Sequence, residues 1–372
     1  MLTMNASKID FNKLEILFSE MTKKINELGY RKNINESLSL FEYFSHIVLH
    51  TFFFLLAIEF SSNIIICTLL LFFMMLSGIG ITTGTHTASH FSLISNKKLN
   101  SFLVYLGYGF FFGASYQYWM HKHIVVHHPN PNIIGVDEDI NLMPFFVLTQ
   151  TDFENASSLK KKYFKLQFLI IPFALTLNLF NIQKDGFVYI FKEINKHGFK
   201  KKCLLDLSVM SSHFIFWLII PCFFFDFTQV LIFYYLRAAF MGYGMFFAFA
   251  PAHFPHNAFF LSKDNKHANF IVKQIYTTTN FRTGIIGKYI LGGVQFQIEH
   301  HLFPNCHHYH YPKINQLLVD FCKENDLPYN EISWIKGIWE SIKVFYKPKK
   351  VFSNEIISIA NNEVYGVPIG QH

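Results

Sequence analysis

A long apolar stretch near the start of this chain limits its fold more than any other feature. No Lys or Arg occurs in residues 41–85, and this length exceeds the roughly 20 residues that one membrane-spanning helix needs. A polar turn at residues 59–63 divides the stretch, and a second apolar stretch is divided in the same way at Asp226. The predicted spans are 41–59, 63–85, 204–225 and 228–252. We therefore predict an all-α integral membrane protein with four transmembrane helices, arranged as two hairpins.

The overall composition supports this class. Of the 372 residues, 51% are hydrophobic and only 15% are charged, which is typical of a protein that lies in a lipid bilayer. The formal charge of +7 agrees with the lysine excess on the cytosolic side of membrane proteins, and we predict no nucleic-acid partner. The five cysteines form no Cys-x-x-Cys pair and are interpreted as free thiols in a reducing compartment.

Basic residues orient the predicted hairpins. Both hairpin tips lack Lys and Arg, whereas basic residues flank the hairpins on the other side. The flanking residues are Lys8, Lys13, Lys23, Lys24, Arg31, Lys32, Lys97, Lys98, Lys200, Lys201, Lys202, Lys263, Lys266 and Lys273. Under the positive-inside rule, both termini and the region between the hairpins lie in the cytosol.

Two shorter apolar stretches, 99–118 and 163–180, are interpreted as helices that lie in the plane of the membrane or are shallowly embedded in it. Residues 1–40 are predicted to form a cytosolic amphipathic segment, because their apolar side chains recur at helical spacing. The predicted organisation is this N-terminal segment, a membrane domain at 41–320, and a cytosolic C-terminal tail at 321–372.

Histidines are concentrated in three clusters at the ends of the apolar stretches. The clustered residues are His86, His90, His123, His127, His128, His300 and His301, and His253 follows the fourth span. The first two clusters each contain a pair four residues apart, such as His86 and His90, so both imidazoles lie on one helical face. One such pair is weak evidence, because 19 histidines in 372 residues give about one by chance. Three clusters on the predicted cytosolic face indicate a metal site.

The number of histidines predicts more than one ion. Imidazole is a common ligand of iron, copper, zinc and nickel, and a single zinc takes four ligands. Eight candidates therefore indicate two metal ions in a cytosolic helical cap, with His121 and His256 as weaker candidates. The candidate acceptors for the second ring N–H of metal-bound histidines are Asp137, Glu138, Asp139 and Glu299. Of these, Asp139 and Glu299 are favoured.

These motifs resemble the three histidine boxes of the membrane fatty acyl desaturases. Residues Gln297–Pro304 (QIEHHLFP) resemble the third box, in the form with Gln first that is typical of front-end desaturases and their bacterial linoleoyl-CoA-desaturase-like relatives. Residues His86–His90 are similar to the first box, and His123–Asp139 to the second box with its acidic continuation. Thr277–Asn280 also matches the family pattern. The resemblance extends from about residue 10 to residue 320.

The resemblance implies a di-iron centre that is held almost wholly by histidines. The implied ligands are His86, His90, His123, His127, His128, His300 and His301. His253 fits a histidine that the family has after the fourth span, Gln297 is expected close to the metal, and Asn280 is expected to support the ligands. Two departures, Ala252 where the family often has Asn and Thr87 where it commonly has Asp, affect the surroundings of the ligands rather than the metal site.

The family's chemistry is then expected here. O₂ and two electrons would remove two hydrogens from an acyl chain, carried as acyl-CoA or acyl-lipid, and leave a cis double bond, with no catalytic residue beyond the metal centre. The sequence contains no His-Pro-Gly-Gly haem segment and no Gly-x-Gly-x-x-Gly fingerprint. We therefore expect a separate electron donor, either a ferredoxin or a b-type cytochrome with its reductase.

Two other functions stay open on the sequence alone. A related di-iron fatty acyl hydroxylase or acetylenase uses the same oxidant, and the histidine boxes do not separate these enzymes from a desaturase. A metal transporter also binds metal through histidines. Transporters hold their ligands near the middle of the membrane, however, whereas these clusters are predicted at one face, which disfavours that class.

Overall fold

The fold is built almost entirely from helices. The computed structural model describes residues 10–31 and 35–353. The helices are α1 (Phe11–Glu27), α2 (Glu36–Glu59), α3 (Ile64–Ser89), α4 (Lys97–Val104), α5 (Tyr116–Trp119), α6 (Gln150–Glu154), α7 (Ser158–Phe164), α8 (Gln167–Leu175), α9 (Asn178–His197), α10 (Lys201–Phe214), α11 (Phe227–His253), α12 (Phe270–Thr277), α13 (Ile285–Leu291), α14 (Gln297–Leu302), α15 (Tyr311–Glu324) and α16 (Trp334–Lys343). The short strands are β1 (Phe260–Leu261), β2 (Asn280–Arg282), β3 (Glu331–Ser333) and β4 (Val351–Phe352). Turns of π-helix extend α4 to Phe111 and α5 to His127, and α10 continues to Phe223.

Four of the described helices are long and apolar enough to cross a membrane: α2, α3, α11 and the helix at Lys201–Phe223 that includes α10. Each predicted span lies on one of them, and the largest difference is at the start of α2, which begins at Glu36 rather than at residue 41. Asn35 and Asn63 accept hydrogen bonds from the first turns of α2 and α3, as expected of residues that begin a helix. The prediction of four helices of spanning length is confirmed.

Glycines bring α3 close to both α2 and α11. A Cβ atom at Gly80 would lie 2.4 Å from the imidazole of His46 on α2. A Cβ atom at Gly78 would lie 2.2 Å from the sulfur of Met241 on α11. Small residues permit such close packing between helices in a membrane, where packing rather than the hydrophobic effect drives association. The middle of α3 therefore lies between the other two helices.

The first of the two shorter apolar stretches does not lie in the membrane plane. It descends beside α2 until the ring of Phe111 is 5.3 Å from that of His50, midway along α2. The chain then reverses at Gly113, whose φ of +69° is a conformation that favours glycine. From there α5 returns toward the end of α3. The expectation of an in-plane or shallowly embedded helix at 99–118 is thus corrected, because this segment is a broken helix that runs beside α2 to its middle and then back.

The second stretch, at 163–180, also enters the region beside the spanning helices. A side chain at Gly242 of α11 would overlap the carbonyl oxygen of Leu175. The ring of Phe180 is 6.4 Å from that of Tyr235, which lies in the first half of α11. Helices α8 and α9 therefore pack along α11 rather than on the membrane plane, and the in-plane interpretation is corrected here as well.

Residues 254–353, which we call the cap, cover the ends of α3 and α11. In the cap, β1 pairs in parallel with β4, and β2 with β3. Helix α1 packs on it through Phe18, whose ring stacks at 5.3 Å on Phe303, and Gly337 of α16 contacts Pro251 of α11. Helix α1, early in the chain, and α16, late in the chain, are thus packed into the same part of the structure.

Parts of the predicted end segments lie outside the described residues, namely 1–9, 32–34 and 354–372, together with the flanking Lys8 and Lys32.

The close packing at Gly80 predicts a stability loss on enlargement. We expect Gly80→Ala to lower the free energy of unfolding by roughly 1–3 kcal/mol, because the new methyl group overlaps the His46 ring. The matched control is Gly284→Ala, since a Cβ there meets nothing within 4 Å. Thermal unfolding in one detergent measures both variants. An unchanged melting temperature for Gly80→Ala would contradict this packing.

Candidate metal centre

Eight buried histidines meet where α3, the extended α5, α11 and α14 lie side by side. They are His86 and His90 at the end of α3, His123, His127 and His128 at the end of the extended α5, His253 at the end of α11, and His300 and His301 on α14. All the histidines that the sequence analysis assigned to the ligand set are therefore in one place. Their ring nitrogens form two groups that consist of histidines alone, and His123 and His127 form a third group with Asp139.

His123 is the centre of the first group. Its Nε2 atom lies 2.8 Å from that of His86 and 3.2 Å from those of His90 and His128. The Nε2 atom of His300 lies 3.1 Å from that of His128. A ring nitrogen carries either one proton or one lone pair, so only one of the three contacts of His123 can be a hydrogen bond. A bound cation would offset the repulsion between the lone pairs of the other nitrogens, and this group could hold one.

The distances and the protonation of this group fit a transition-metal ion. With metal–nitrogen distances of about 2.1 Å, ligands at right angles are about 3.0 Å apart, close to the separations observed here. Burial, assisted by the neighbouring imidazoles, holds the pKa of His90, His123 and His128 well below its usual value. These imidazoles are therefore neutral, which is the form that binds a metal.

The second group consists of His127, His253 and His301, whose ligand atoms lie within 4.8 Å of one another. The side-chain amide nitrogen of Gln297 lies 3.0 Å from the Nε2 atom of His253. Within the described part of the chain, the Nε2 atom of His301 and the Oε1 atom of Gln297 are buried without a hydrogen-bond partner. Buried polar atoms are rarely left unpaired, so these two atoms are available as ligands and this group could also hold an ion.

Hydrogen bonds at Nδ1 orient the rings. The Nδ1 atom of His301 lies 2.9 Å from the amide oxygen of Gln274. Because that oxygen only accepts, the ring proton is on Nδ1 and the lone pair is on Nε2. Gln274 also donates to the backbone carbonyl of His128 at 2.8 Å, and Tyr311 lies 3.1 Å from Nδ1 of His300. Such contacts fix the tautomer and the direction of a ligand.

Two carboxylates lie beside His127. Its Nδ1 atom is 3.0 Å from Asp137 and 3.3 Å from Asp139, and Asp139 also pairs with Lys122 at 2.9 Å. Burial alone would lower the pKa of His127, but these carboxylates outweigh it and raise that pKa above its usual value. The sequence analysis favoured Asp139 as the acceptor, whereas the structure has both, with Asp137 closer.

A buried lysine holds the turn that follows His253. The ammonium of Lys349 donates to the carbonyls of Phe254 and Pro255 at 3.3 and 2.8 Å, and also to that of Ala258. Lys349 lies next to β4, and its backbone bonds to Leu148 and Gln150. A segment more than 90 residues away in sequence thus holds the turn that directly follows α11.

Four residues of the predicted set lie away from the imidazoles. Glu299 accepts hydrogen bonds from Asn280, Asn315 and Tyr329 at 2.7, 3.0 and 2.6 Å, so it joins α14 to β2 and α15 instead of accepting a ring N–H. Asn280 supports the same network. The ring of His121 stacks on Tyr189, and His256 lies 3.4 Å from Glu340.

Three supporting residues were missed in the sequence analysis: Gln274, Tyr311 and Asn132. The Asn132 amide donates to the carbonyls of His253 and Thr277 at 2.8 and 3.0 Å, which joins α11 to α12. Asn132 has a φ of +54°, a conformation that Asn adopts more readily than most residues. Its place in the Pro-Asn-Pro-Asn turn after the second cluster was a usable signal. Gln274 and Tyr311 carry no comparable signal, because their partners are distant in sequence.

Comparisons with known proteins find a matching family and several relatives. A family model described as fatty acid desaturase matches residues 62–333. A Delta(5) fatty acid desaturase of Caenorhabditis elegans is 26% identical over 266 residues, which are 70% of this chain and 59% of the relative. A fatty acid desaturase 2-like protein of Mus musculus is 23% identical over 80% of this chain and 59% of its own length. An acyl-lipid (8-3)-desaturase of Mortierella alpina is 27% identical over 66% of this chain and 56% of its own length. The chain thus spans less than two thirds of these relatives.

The role of Gln274 is testable without an activity assay. We expect Gln274→Met to weaken metal binding by about 10- to 100-fold, because it removes the acceptor for His301 and the donor to the carbonyl of His128. Gln274→Glu keeps the acceptor and should retain more of the affinity. Gln150→Met, in an exposed pair with Glu154, is the control. Metal content after dialysis against graded chelator measures all three, and equal retention by Gln274→Met and the control would refute the assignment.

Proposed function

The chain belongs to the fatty acid desaturase family, whose model covers residues 62–333, and we propose that it is a membrane-bound, O₂-dependent fatty acyl desaturase. The proposed reaction introduces a cis double bond into an acyl chain that is bound to CoA or to a lipid. The observation that carries this proposal is the convergence of ring nitrogens on His123. A hydrogen-bonded histidine cluster does not account for that convergence, whereas a metal centre does.

We infer two irons per chain. The group of His86, His90, His123, His128 and His300 would hold one ion, and the group of His127, His253 and His301 would hold the other with Gln297 beside it. Eight imidazoles exceed what one four- to six-coordinate ion uses. Bound iron would supply the oxidising power that an unactivated C–H bond demands. Overall, two hydrogens of the acyl chain, O₂, two electrons and two protons give the alkene and two waters.

The protein's own residues orient the imidazoles and keep the site dry. Asp137 and Gln274 accept at Nδ1 of His127 and His301, so the Nε2 lone pairs of these two rings point inward before any ion arrives. Tyr311 orients the ring of His300 through its Nδ1 atom. Aromatic rings close the membrane side: Trp119 stacks at 4.6 Å on His123, and Phe249 lies 5.6 Å from His86. An acyl chain that approaches along these rings would meet the site with little water present.

We propose that the spans form two hairpins, with both termini and all histidine boxes in the cytosol. The hairpin tips near residues 59–63 and Asp226 carry no Lys or Arg, which supports this orientation. Both His86 and His253 lie at the opposite ends of their helices from those tips. In this arrangement residues 41–320 form the membrane domain, and the segments 1–40 and 321–372 complete its cytosolic side.

Electrons would come from a redox carrier, a ferredoxin or a b-type cytochrome served by a reductase. The sequence has no Gly-x-Gly-x-x-Gly fingerprint for a nicotinamide or flavin nucleotide, which favours a protein donor. A hydroxylase or acetylenase remains the alternative outcome at the same site, and product analysis distinguishes it. A metal transporter is disfavoured, because the ligands lie at the ends of α3 and α11 rather than near their middle.

Metal analysis tests the composition of the site. Protein purified from iron-replete cells should contain about two irons per chain, because the eight imidazoles include two groups that could each hold one ion. Elemental analysis and protein quantitation on the same sample give this ratio. One tightly held zinc with no iron would contradict the di-iron proposal.

Product analysis tests the reaction. A host that expresses the chain and is fed saturated and unsaturated fatty acids should accumulate a new cis-unsaturated acyl chain, detected by gas chromatography and mass spectrometry. His300→Ala should lower product at least about 100-fold, because it removes a nitrogen from the first group. His197→Ala, at an exposed position on α9, is the matched control. A hydroxylated product would move the protein to the alternative, and full product from His300→Ala would remove that residue from the site.

A further inference from the structure

The helix that carries the second histidine cluster follows a break beside the middle of the spanning helices. The extended α4 ends at Phe111, and α5 begins at Tyr116. The residues between them lie beside His50, His213 and Arg237, each of which is near the middle of its own helix. Non-helical backbone at this depth occurs only where protein groups satisfy its hydrogen bonds.

Side chains from three helices donate hydrogen bonds to the backbone carbonyls that precede the break. The consecutive carbonyls of Phe110, Phe111 and Phe112 accept from His213 Nδ1 at 2.9 Å, Arg237 Nη2 at 2.7 Å and Gln183 Nε2 at 2.8 Å, in that order. These donors come from α10, α11 and α9. The last carbonyls of a helix have no partner in the helix itself, so each of the three side chains replaces one missing backbone bond.

A buried carboxylate accepts hydrogen bonds from the backbone N–H groups that follow the break. Asp206 on α10 is fully buried and accepts from the Ser115 hydroxyl at 2.6 Å and from the N–H groups of Tyr116 and Gln117 at 2.9 and 3.0 Å. An acid at a helix N-terminus and a cation at a C-terminus both oppose the helix dipole. Asp206 and Arg237 therefore stabilise opposite ends of the same break.

The remaining contacts of Arg237 explain its place in a spanning helix. Its guanidinium carbon lies 3.8 Å from the ring centroid of Trp217, and its Nε donates to His50 at 3.1 Å. Within the described residues no carboxylate contacts it. A charge at this depth is costly unless protein groups compensate it, and here the carbonyl of Phe111 and the Trp217 ring do so.

We propose that Gln183, Asp206, His213 and Arg237 are positioning residues that hold His123, His127 and His128 against the other ligands by fixing the break at residues 112–115. Asp206 holds the first turn of the extended α5, and that helix runs without interruption from Tyr116 to His127. A shift or rotation at its first turn is carried directly to the imidazoles. This inference rests on the proposed function for its metal readout, but not for its structural readout.

Asp206→Asn is the sharpest test. In the aspartate, one oxygen serves Tyr116 and the other serves Ser115 and Gln117, and an asparagine has only one acceptor oxygen. In metal-free protein in nanodiscs, we expect faster hydrogen exchange across residues 116–128 and unchanged exchange across α3. In iron-loaded protein we expect iron affinity to fall by about 10-fold or more. Asp185→Asn is the control, since Asp185 pairs with Lys184 on an exposed face of α9.

The carbonyl end provides an independent pair of variants. Arg237→Lys retains a donor for the carbonyl of Phe111. It should therefore keep slower hydrogen exchange across residues 116–128 and a higher iron affinity than Arg237→Met. If Asp206→Asn does not yield monodisperse protein, Ser115→Ala removes one of its bonds and is measured in the same way. Wild-type exchange rates and wild-type iron affinity in Asp206→Asn or Ser115→Ala would overturn the inference. A wild-type protein that binds no iron would instead overturn the proposed function and leave the exchange result to decide this one.

Discussion

Neutral imidazole nitrogens repel one another when their lone pairs meet, and the architecture of this protein is organised around holding several of them in that position. The Nε2 atoms of His86, His90 and His128 surround that of His123. Each ring comes from the end of a longer element whose position is set elsewhere. The spanning helices α3 and α11 supply rigid ends, and the cap brings α14 against them, so the repulsion is resisted by packing far from the site.

Two polar frameworks provide this resistance, one in the cap and one among the spans. In the cap, Gln274 and Tyr311 connect α12, α14 and α15 through ligand imidazoles, and Asn132, from outside the cap, joins α11 to α12. Among the spans, Asp206 and Arg237 bind the ends of a broken helix. Both frameworks place charges and amides where backbone groups lack partners. The buried polar residues of the spans are therefore part of the site's support rather than a separate function.

Local pattern was enough to predict the four spanning helices and the eight clustered histidines, since length, hydropathy and four-residue spacing are properties of short segments. Depth is not such a property. The stretch containing Phe111 has the composition of an in-plane helix, yet it descends because His213 and Arg237 satisfy its carbonyls. Glu299 was favoured as the acceptor of a ring N–H, but it accepts from Asn280, Asn315 and Tyr329 instead, again because of contacts between distant segments. Its partner Tyr329 lies 30 residues away, and no local pattern indicates a contact of that kind.

The position of Lys349 has a consequence for the order in which this protein is made. Its ammonium holds the turn that directly follows His253, although the two residues are separated by much of the cap. Translation proceeds at roughly 5–20 residues per second, so α11 is synthesised several seconds before the lysine that holds the turn after it exists. The turn beside His253 gains these hydrogen bonds only after residues 254–349 have been made, so this side of the histidine cluster is completed after α11 has been inserted and not during its insertion.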